Sequence, residues 1–324
     1  MALSDKPSGL RAFLVLDDLT LGPAAGGVRT HRYPSSRAAL EDAMKLARAM
    51  TIKCALAGLD AGGGKAVVLD HEHLQRPLAF QRLGERIEEL GGIFRTAGDL
   101  GTTSDDLHNL ARKTQYVHIN EADLSGAVAQ GVMVAMQACA HLHGHSGIHG
   151  LRIAVQGCGA IGSAVARRLT AAGARVIIAD IDSERATQFA GAVDAELASP
   201  EQILTLDVDI VAPCAIGGVL TQDIAVDIRA WAVCGAANNI LGDDRAEQIL
   251  TRRDILFVPD VVASAGAVIE GVGVSVMKLA DRAPLIERIH TTTRTVLEKA
   301  LAENRLPSEV AEAMAWERIQ SAKQ

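Results

Sequence analysis

Short apolar runs alternate with segments of helical periodicity along most of the chain, a pattern typical of an α/β protein. In the first half, Ser36 and its neighbours predict the start of a helix. One face of that helix is predicted to carry apolar residues at positions 39, 40, 43, 44 and 47. We predict the other early elements as strands at Arg11–Leu16, Ala66–Leu69, Ile93–Arg95 and Tyr116–Ile119, and a helix at Pro77–Leu90.

A long helix over Gly126–Leu142 is predicted to lead into a second domain built from repeated βα units. That domain is predicted to open with the strand Arg152–Gln156, the helix Ala160–Ala172 and the strand Arg175–Asp180. The last residues are helical, with Pro307 between two helices. We therefore expect two α/β domains, the second a doubly wound Rossmann-type sheet. The expected ranges are residues 1–126, residues 127–283, and C-terminal helices over residues 284–324 that pack back on the first domain.

Composition narrows the class of protein. The 324 residues are long for one domain and sufficient for two, and a hydrophobic share of 48% provides a sizeable core. A net charge of −7 and an aromatic share of 3% argue against nucleic acid or an anionic membrane as partner. The sequence has no apolar run of membrane-spanning length and no signal-peptide pattern, and its five scattered cysteines are typical of reduced thiols. We expect a cytoplasmic protein.

The most informative segment contains two lysines around a glycine run, Lys53 and Lys65, with Gly62–Gly64 directly before the second lysine. Glycines permit close approach of other groups, and the apolar run after Lys65 predicts a buried strand. Two ammonium groups in one poorly solvated pocket lower each other's pKa, which turns a lysine into a base near neutral pH. The alternative is a structural glycine turn flanked by two surface lysines.

A glycine fingerprint predicts a dinucleotide site. It follows the predicted strand Arg152–Gln156 and opens a helix, so that glycines would allow the turn, the approach of a pyrophosphate and close packing. Asp180, at the end of the next strand, would bind the adenosine ribose 2′-hydroxyl and favour NAD over NADP, although Arg185 lies nearby and could meet a phosphate. A strand–turn–helix without a ligand is the alternative. The expected cofactor contacts here are Gly157, Cys158, Gly159, Ala160, Ile161, Gly162, Asp180 and Ile181.

A histidine-rich loop at residues 141–149 is a candidate for a metal site. Glycines interrupt it, no cysteine or carboxylate accompanies it, and its spacing matches no familiar zinc pattern. We expect a polar loop and no metal.

The chain resembles the amino acid dehydrogenase family that includes leucine, phenylalanine, valine and glutamate dehydrogenases, and is most similar to the leucine and phenylalanine branch. The resemblance runs in family order from about residue 8 to the C-terminus. The segments that carry it are Leu21–Arg29, Leu46–Val68, Thr96–Thr103, Ala212–Gly217, Gly235–Asn239 and Pro259–Gly266.

The resemblance implies roles for individual residues. Lys53 would bind the substrate α-carboxylate with the backbone amides around Gly26 and Gly27, and Lys65 would be the catalytic base that activates water. Asp99 would hold the substrate amino group and shuttle its proton; the alternative is that Asp99 caps a helix over residues 102–110. The resemblance also implies contacts with the nicotinamide half of the cofactor from Cys214, Ala215, Ala237 and Asn238.

The departures from the family pattern concern the substrate. Gly98, Val128, Ser264 and Glu270 replace residues that are usual in the family. The positions implied to wall the side-chain pocket are Ala25, Ala97, Val268 and Gly271. Ala25 and Gly271 stand where glutamate dehydrogenases have a lysine and a serine, so glutamate is not the expected substrate. Small residues at these positions predict a roomy pocket for a bulky apolar or aromatic side chain, with a polar one allowed if Glu270 is near.

The expected function is therefore reversible NAD-dependent oxidative deamination of an L-amino acid to its 2-oxo acid and ammonia by a homo-oligomer. Two alternatives stay open. The enzyme could act on an atypical imine or amine without the α-carboxylate, or the chain could be a catalytically silent NAD-binding protein. The presence of Lys53, Lys65 and Asp99 together argues against a silent protein, because buried charges are costly to keep.

Overall fold

The computed structural model describes residues 1–119 and 123–323. The chain divides into two compact units. The first comprises Met1–Ala122, Gly271–Ala280 and Ala315–Gln324, and the second comprises Asp123–Glu270 and Asp281–Met314. Among the described residues, no helix combines the length and the apolar character that a membrane span needs.

The first unit is built on a five-stranded mixed sheet with the order β1-β2-β4-β3-β5. Strand β3 runs parallel to both of its neighbours, β4 and β5, while β2 is antiparallel to β1 and β4. The strands are β1 (Ala2–Asp5), β2 (Leu10–Asp18), β3 (Ala24–His31), β4 (Gly62–Leu69) and β5 (Phe94–Gly98). The helices are α1 (Ser36–Leu56), α2 (Arg76–Glu89) and α3 (Ser104–Ala111).

Helix α1 begins where the sequence predicts, because the Ser35 side chain accepts a hydrogen bond from the Ala38 N–H. Its buried face differs from the predicted one. Ala39, Ala43 and Ala47 are buried, but Leu40 and Met44 are 37% and 55% exposed. The prediction that these two larger side chains share the core face is wrong, because the buried stripe follows the alanines.

Gly62–Gly64 belong to strand β4 rather than to a turn, so the glycine-turn alternative is wrong. Their lack of side chains has a packing reason. A Cβ on Gly63 would lie 2.2 Å from the Ala47 carbonyl oxygen and 2.3 Å from the Thr51 N atom, both on α1. The glycine run therefore lets α1 pack directly on the backbone of β4.

The second unit contains a six-stranded parallel sheet with the order β11-β10-β9-β6-β7-β8. Counted from β6, this is the order 3-2-1-4-5-6 of dinucleotide-binding folds, and the loops after β6 and β9 meet where the order reverses. The strands are β6 (Arg152–Gln156), β7 (Arg175–Ala179), β8 (Glu196–Leu197), β9 (Ile210–Pro213), β10 (Ala232–Val233) and β11 (Leu256–Phe257). The remaining helices are α4 (Leu124–Leu142), α5 (Ala160–Ala171), α6 (Ser183–Val193), α7 (Gln222–Asp227), α8 (Asp244–Arg252), α9 (Asp260–Ala263), α10 (Gly266–Ser275), α11 (Ala283–Glu303) and α12 (Pro307–Ser321).

The two C-terminal helices pack in different units. Helix α11 packs along α4 in the second unit. The last turns of α12 belong to the first unit, where Arg318 donates to the carbonyl oxygens of Ala55 and Leu59 at the end of α1, each at 2.9 Å. Of the two helices that were expected to pack on the first domain, α11 lies in the second unit, whereas the last turns of α12 lie in the first.

Candidate active site

Lys65 and Asp99 form an ion pair in the first unit, with 2.7 Å between the Lys65 Nζ and the Asp99 Oδ2. Lys65 lies in β4 and is 6% exposed, so its ammonium sits in the protein interior. Asp99 directly follows the end of β5. The sequence and the family resemblance indicate both residues, and the fold brings them together.

A glycine between the two strands makes this contact achievable. Strand β3 separates β4 from β5, and the register Ala25↔Gly63 and Val28↔Ala66 sets Gly27 beside Lys65. A Cβ on Gly27 would lie 2.9 Å from the Asp99 Cβ and 2.7 Å from the Gly98 carbonyl oxygen. The absence of a side chain at residue 27 therefore leaves room for Lys65 to reach Asp99 across β3.

The electrostatics of the pair suit proton transfer. Burial lowers the pKa of Lys65 below its ordinary value, and the opposing attraction of Asp99 does not cancel this effect. Burial alone would raise the pKa of Asp99, but the positive charges of Lys65 and Arg29 outweigh it and hold that pKa low. Asp99 is therefore a carboxylate at neutral pH, and Lys65 gives up its proton more readily than a surface lysine.

Arg29 is the cation that the sequence analysis did not select for this site. Its Nε donates to Asp99 Oδ2 at 3.0 Å, and its Nη1 donates to Asp42 Oδ2 at 3.2 Å. The Tyr33 hydroxyl donates to the same Asp42 oxygen at 2.5 Å. The lowering of the Lys65 pKa was expected to come from Lys53; burial is the largest cause, and the positive charge that adds to it is that of Arg29. The feature of the sequence that could have indicated Arg29 is its position as a charged residue within the mostly buried strand Ala24–His31.

The other residues selected in this unit lie on the same elements. Lys53 is buried in the last turn of α1, the helix that packs on β4. Ala25 is buried in β3, and Ala97 is half-buried in β5 opposite Gly27. The Gly26 carbonyl oxygen accepts a hydrogen bond from the Thr96 hydroxyl at 2.8 Å.

The alternative role for Asp99 as a helix cap is wrong. Thr103 caps α3, with its hydroxyl accepting the Asp106 N–H and the Asp106 carboxylate accepting the Thr103 N–H. This is a complete capping box that does not involve Asp99.

The glycine fingerprint of the second unit forms the predicted strand–turn–helix. Gly157 has a φ of +97°, and a Cβ there would lie 2.8 Å from the Ala215 Cβ. A Cβ on Gly162 would lie 2.0 Å from the Gly157 carbonyl oxygen, whereas a Cβ on Gly159 would meet nothing within 4 Å. Gly159 precedes α5 without a side-chain cap, and residues 159–161 are exposed. The first N–H groups of α5 are thus open to an anion, so these residues fit a dinucleotide pyrophosphate.

Asp180 is held in place by three donors. Its Oδ2 accepts the Cys158 N–H at 2.6 Å, and its Oδ1 accepts the Asp182 N–H at 2.9 Å and an Arg185 N–H at 2.7 Å. Burial would raise the pKa of Asp180, but these donors outweigh it and lower the pKa. Asp180 is therefore a fixed carboxylate directly beside the glycine turn, and Ile181 next to it is 93% exposed.

The remaining cofactor candidates surround the ends of β9 and β10. Ala215 is exposed next to Gly157, while Ala237 and Cys214 are buried. Burial raises the pKa of Cys158 to about 11 and that of Cys214 to about 12, so both remain thiols. The Asn238 Oδ1 accepts a hydrogen bond from the Ser264 hydroxyl at 3.3 Å.

Helix α10 carries two of the expected side-chain pocket residues, Val268 and Gly271, three positions apart and so on one side of the helix. Glu270 forms a two-pronged ion pair with Arg282, with 3.1 Å from the arginine Nε to each carboxylate oxygen. Its charge is therefore already balanced, which weakens the expectation that Glu270 accommodates a polar substrate.

Nothing in the described part of the chain forms a group of three or more potential metal ligands. The histidine loop instead contacts aromatic and histidine rings from other parts of the second unit. The His143 ring stacks on Trp231 with 4.2 Å between centroids, and the His141 Nδ1 lies 3.0 Å from the His290 Nε2.

Comparison with known sequences matches both ends of the chain to one family. The pattern described as "Glu/Leu/Phe/Val dehydrogenase, dimerisation domain" matches residues 3–116, and that described as "Glutamate/Leucine/Phenylalanine/Valine dehydrogenase" matches residues 178–323. A third, "D-isomer specific 2-hydroxyacid dehydrogenase, NAD binding domain", matches residues 105–214.

Individual relatives cover nearly the whole chain. A leucine dehydrogenase of Bacillus cereus is 35% identical over 98% of this chain and 90% of its own length. A phenylalanine dehydrogenase of Lysinibacillus sphaericus is 36% identical over 82% of this chain and 74% of its own length. The crystal structure of an L-tryptophan dehydrogenase from Nostoc punctiforme has a TM-score of 0.89 and 30% identity, and the match covers 100% of this chain and 96% of that one. The chain therefore belongs to the Glu/Leu/Phe/Val dehydrogenase family of amino acid oxidoreductases.

Proposed function

We propose that this chain catalyses the reversible oxidative deamination of an L-amino acid with a bulky apolar or aromatic side chain, using NAD. The products are the 2-oxo acid, ammonium and the reduced cofactor. The observation that carries the proposal is the buried Lys65–Asp99 ion pair, because a lysine of lowered pKa beside a fixed carboxylate can pass protons to and from an amine. We assign the charged groups that handle the substrate, Lys53, Lys65 and Asp99, to the first unit and the glycine turn that binds the cofactor to the second.

Each charged side chain has one task in this proposal. Lys53 binds the α-carboxylate, helped by backbone N–H groups near Gly26 and Gly27, and so fixes which face of Cα is presented. A bound nicotinamide would supply the acceptor for the hydride that leaves Cα. Lys65 takes a proton from the water that attacks the resulting iminium carbon. Asp99 takes up and returns the protons of the leaving nitrogen, and ammonium departs as the C–N bond breaks.

The proposed side-chain preference rests on small residues. Ala25, Ala97, Val268 and Gly271 offer no charge to a substrate side chain, and Glu270 is occupied by Arg282. An apolar pocket separates substrates that differ by one methylene by only about 1–3 kcal/mol, so we expect activity on several apolar amino acids. The similarity to an L-tryptophan dehydrogenase supports the aromatic end of this range.

Assembly into a homo-oligomer is part of the proposal. It is supported by the match of residues 3–116 to a family pattern described as a dimerisation domain.

The choice of NAD over NADP rests on Asp180, and we expect Asp180→Asn to weaken it. The carboxylate would accept a charge-assisted bond from the ribose 2′-hydroxyl, worth about 1.5–3 kcal/mol, and would repel a 2′-phosphate. The variant keeps acceptors for the Cys158 N–H but loses the charge that now balances Arg185. The ratio of kcat/KM for NADH to that for NADPH should fall about tenfold or more.

Asp182→Asn is the matched control, since Asp182 is two residues away and asparagine also caps helices well. An unchanged cofactor ratio in Asp180→Asn would remove Asp180 from cofactor selection.

The proposed reaction is tested by NADH consumption with ammonia and a panel of 2-oxo acids. The panel runs from 2-oxoisovalerate through 4-methyl-2-oxopentanoate to phenylpyruvate and indolepyruvate. We expect ammonia-dependent turnover that is fastest with the larger acids. Turnover of the short branched acids alone would overturn the proposed side-chain preference, and no turnover with any acid while NADH still binds would overturn the reaction.

A further inference from the structure

Arg29 joins the Lys65–Asp99 pair to a second carboxylate. Its guanidinium spans Asp99 through Nε and Asp42 through Nη1, and its side chain is 18% exposed. The Tyr33 hydroxyl closes the far end of this chain of contacts by donating to Asp42. Arg29 belongs to β3, Asp42 to α1, and Asp99 follows β5, so the guanidinium ties three elements together.

Both cations bind the same oxygen of Asp99. The Lys65 Nζ lies 2.7 Å and the Arg29 Nε 3.0 Å from Oδ2. If Lys65 acts as a base, it must first lose its proton, and its attraction to Asp99 then falls to that of a neutral amine. Arginine does not deprotonate in proteins, so its bond to Asp99 persists through that change.

We propose that Arg29, anchored by Asp42, is a positioning residue that holds the Asp99 carboxylate in place in both protonation states of Lys65 and thereby sets the pH range of the base. This inference rests on the proposed function of Lys65. It concerns residues 29, 33 and 42, to which the proposed reaction assigns no role.

The charged groups around Lys65 determine in which direction each substitution should shift the pKa of Lys65. Arg29 on β3 lowers the pKa of Lys65, while Asp99 after β5 and Asp42 on α1 raise it. The elements packed around Lys65 carry further charged groups, among them Lys53 near the end of α1 and Asp17 on β2, whose carboxylate accepts a hydrogen bond from Thr51 at 2.7 Å. The remaining ones are Arg11 and Asp18 on β2, Arg37, Glu41, Lys45 and Arg48 on α1, and Arg95 on β5. Removing the charge of Arg29 should raise the pKa of Lys65, and removing that of Asp42 should lower it.

A lysine at residue 29 separates the effect of the positive charge from the effect of the guanidinium geometry. A lysine at residue 29 would keep one positive charge, but its compact ammonium lacks the planar fork that reaches two carboxylates. In Arg29→Lys the pH range of activity should therefore stay nearly unchanged, while kcat should fall because Asp99 is less well oriented.

The experiment is the pH dependence of kcat and of kcat/KM for reductive amination in the wild type and in Arg29→Gln, Arg29→Lys and Asp42→Asn. In Arg29→Gln we expect kcat to fall about tenfold to a hundredfold and the acid limb to move up by about one pH unit. In Asp42→Asn the limb should move the opposite way. Arg37→Gln, on the exposed surface of α1, is the control and should match the wild type.

Opposite shifts from residues 29 and 42 would support the proposal, because a merely structural loss would lower kcat without moving the limb. If the acid limb of the pH–rate profile of Arg29→Gln lay at the same pH as in the wild type, the proposed role of Arg29 would be overturned. Asp42→Asn and Arg29→Lys keep the test decisive if Arg29→Gln fails to fold.

A second readout does not depend on turnover. The rate at which acetic anhydride acetylates Lys65, followed by peptide mass spectrometry across pH, reports the protonation of Lys65 directly. We expect its midpoint to rise in Arg29→Gln and fall in Asp42→Asn. If the wild type showed no ammonia-dependent turnover, the proposed function would fail; unchanged acetylation midpoints in the two variants would instead overturn the role of Arg29.

Discussion

Lys65→Ala is expected to reduce reductive amination about 10²–10⁴-fold while NADH binding stays at the wild-type level. The variant removes the proton acceptor from the first unit and leaves the glycine turn and Asp180 of the second unit untouched. Binding is measured by titrating the protein with NADH, and turnover by NADH consumption at saturating 2-oxo acid and ammonia.

The size of this effect follows from the placement of Lys65. Burial and its hydrogen bond to Asp99 fix the ammonium in one position, so water or a small neighbouring side chain cannot take its place at low cost. Lys113→Ala serves as the control, because Lys113 is 42% exposed and pairs with Glu85. Wild-type turnover in Lys65→Ala would end the role of Lys65 as the base, whereas loss of both turnover and NADH binding would indicate misfolding.

The second unit was the more predictable half of the molecule. Its turn between β6 and α5 depends on residues close together in sequence, and the glycine spacing alone specified where a Cβ would clash. The strand Arg152–Gln156 was predicted at its observed bounds, since a short apolar run after a polar loop leaves little ambiguity.

The first unit was harder because its strands lack the usual pattern. Strand β3 contains Ala24 to Gly27, and β4 begins with Gly62 to Gly64, and small residues carry little strand propensity. Small residues are required at these positions because α1 and the neighbouring strands contact the backbone there. The predicted strand Tyr116–Ile119 contributes only the bridge between Thr96 and Val117.

Contacts distant in sequence account for what was missed at the site. Asp42 and Asp99 are far from each other in the chain, and neither has a local pattern that indicates an arginine partner. The sheet order sets Arg29 between them, so its contacts with both carboxylates became visible only with the register of β3. Asp99 could be selected because the family resemblance implied its role, whereas the glycine run and the apolar segment after it already indicated Lys65.

Asp99→Asn is expected to lower kcat about 10²–10⁴-fold and to change how the free energy of unfolding depends on pH. The amide cannot take up a proton from the substrate nitrogen. It also leaves Lys65 buried without its anionic partner, a change that costs about 3–5 kcal/mol when the remaining group stays charged.

The pH dependence follows from linkage. Asp99 raises the pKa of Lys65, so in Asp99→Asn that pKa falls further below its value in the unfolded chain. The unfolded state then binds more protons than the folded state, and the free energy of unfolding must rise with pH up to the ordinary pKa of lysine, about 10.4. Urea unfolding at a series of pH values measures this, with Asp105→Asn in α3 as the control. A variant whose deficit in stability is the same at every pH from neutral to alkaline would show that Lys65 is not the buried charge that Asp99 balances.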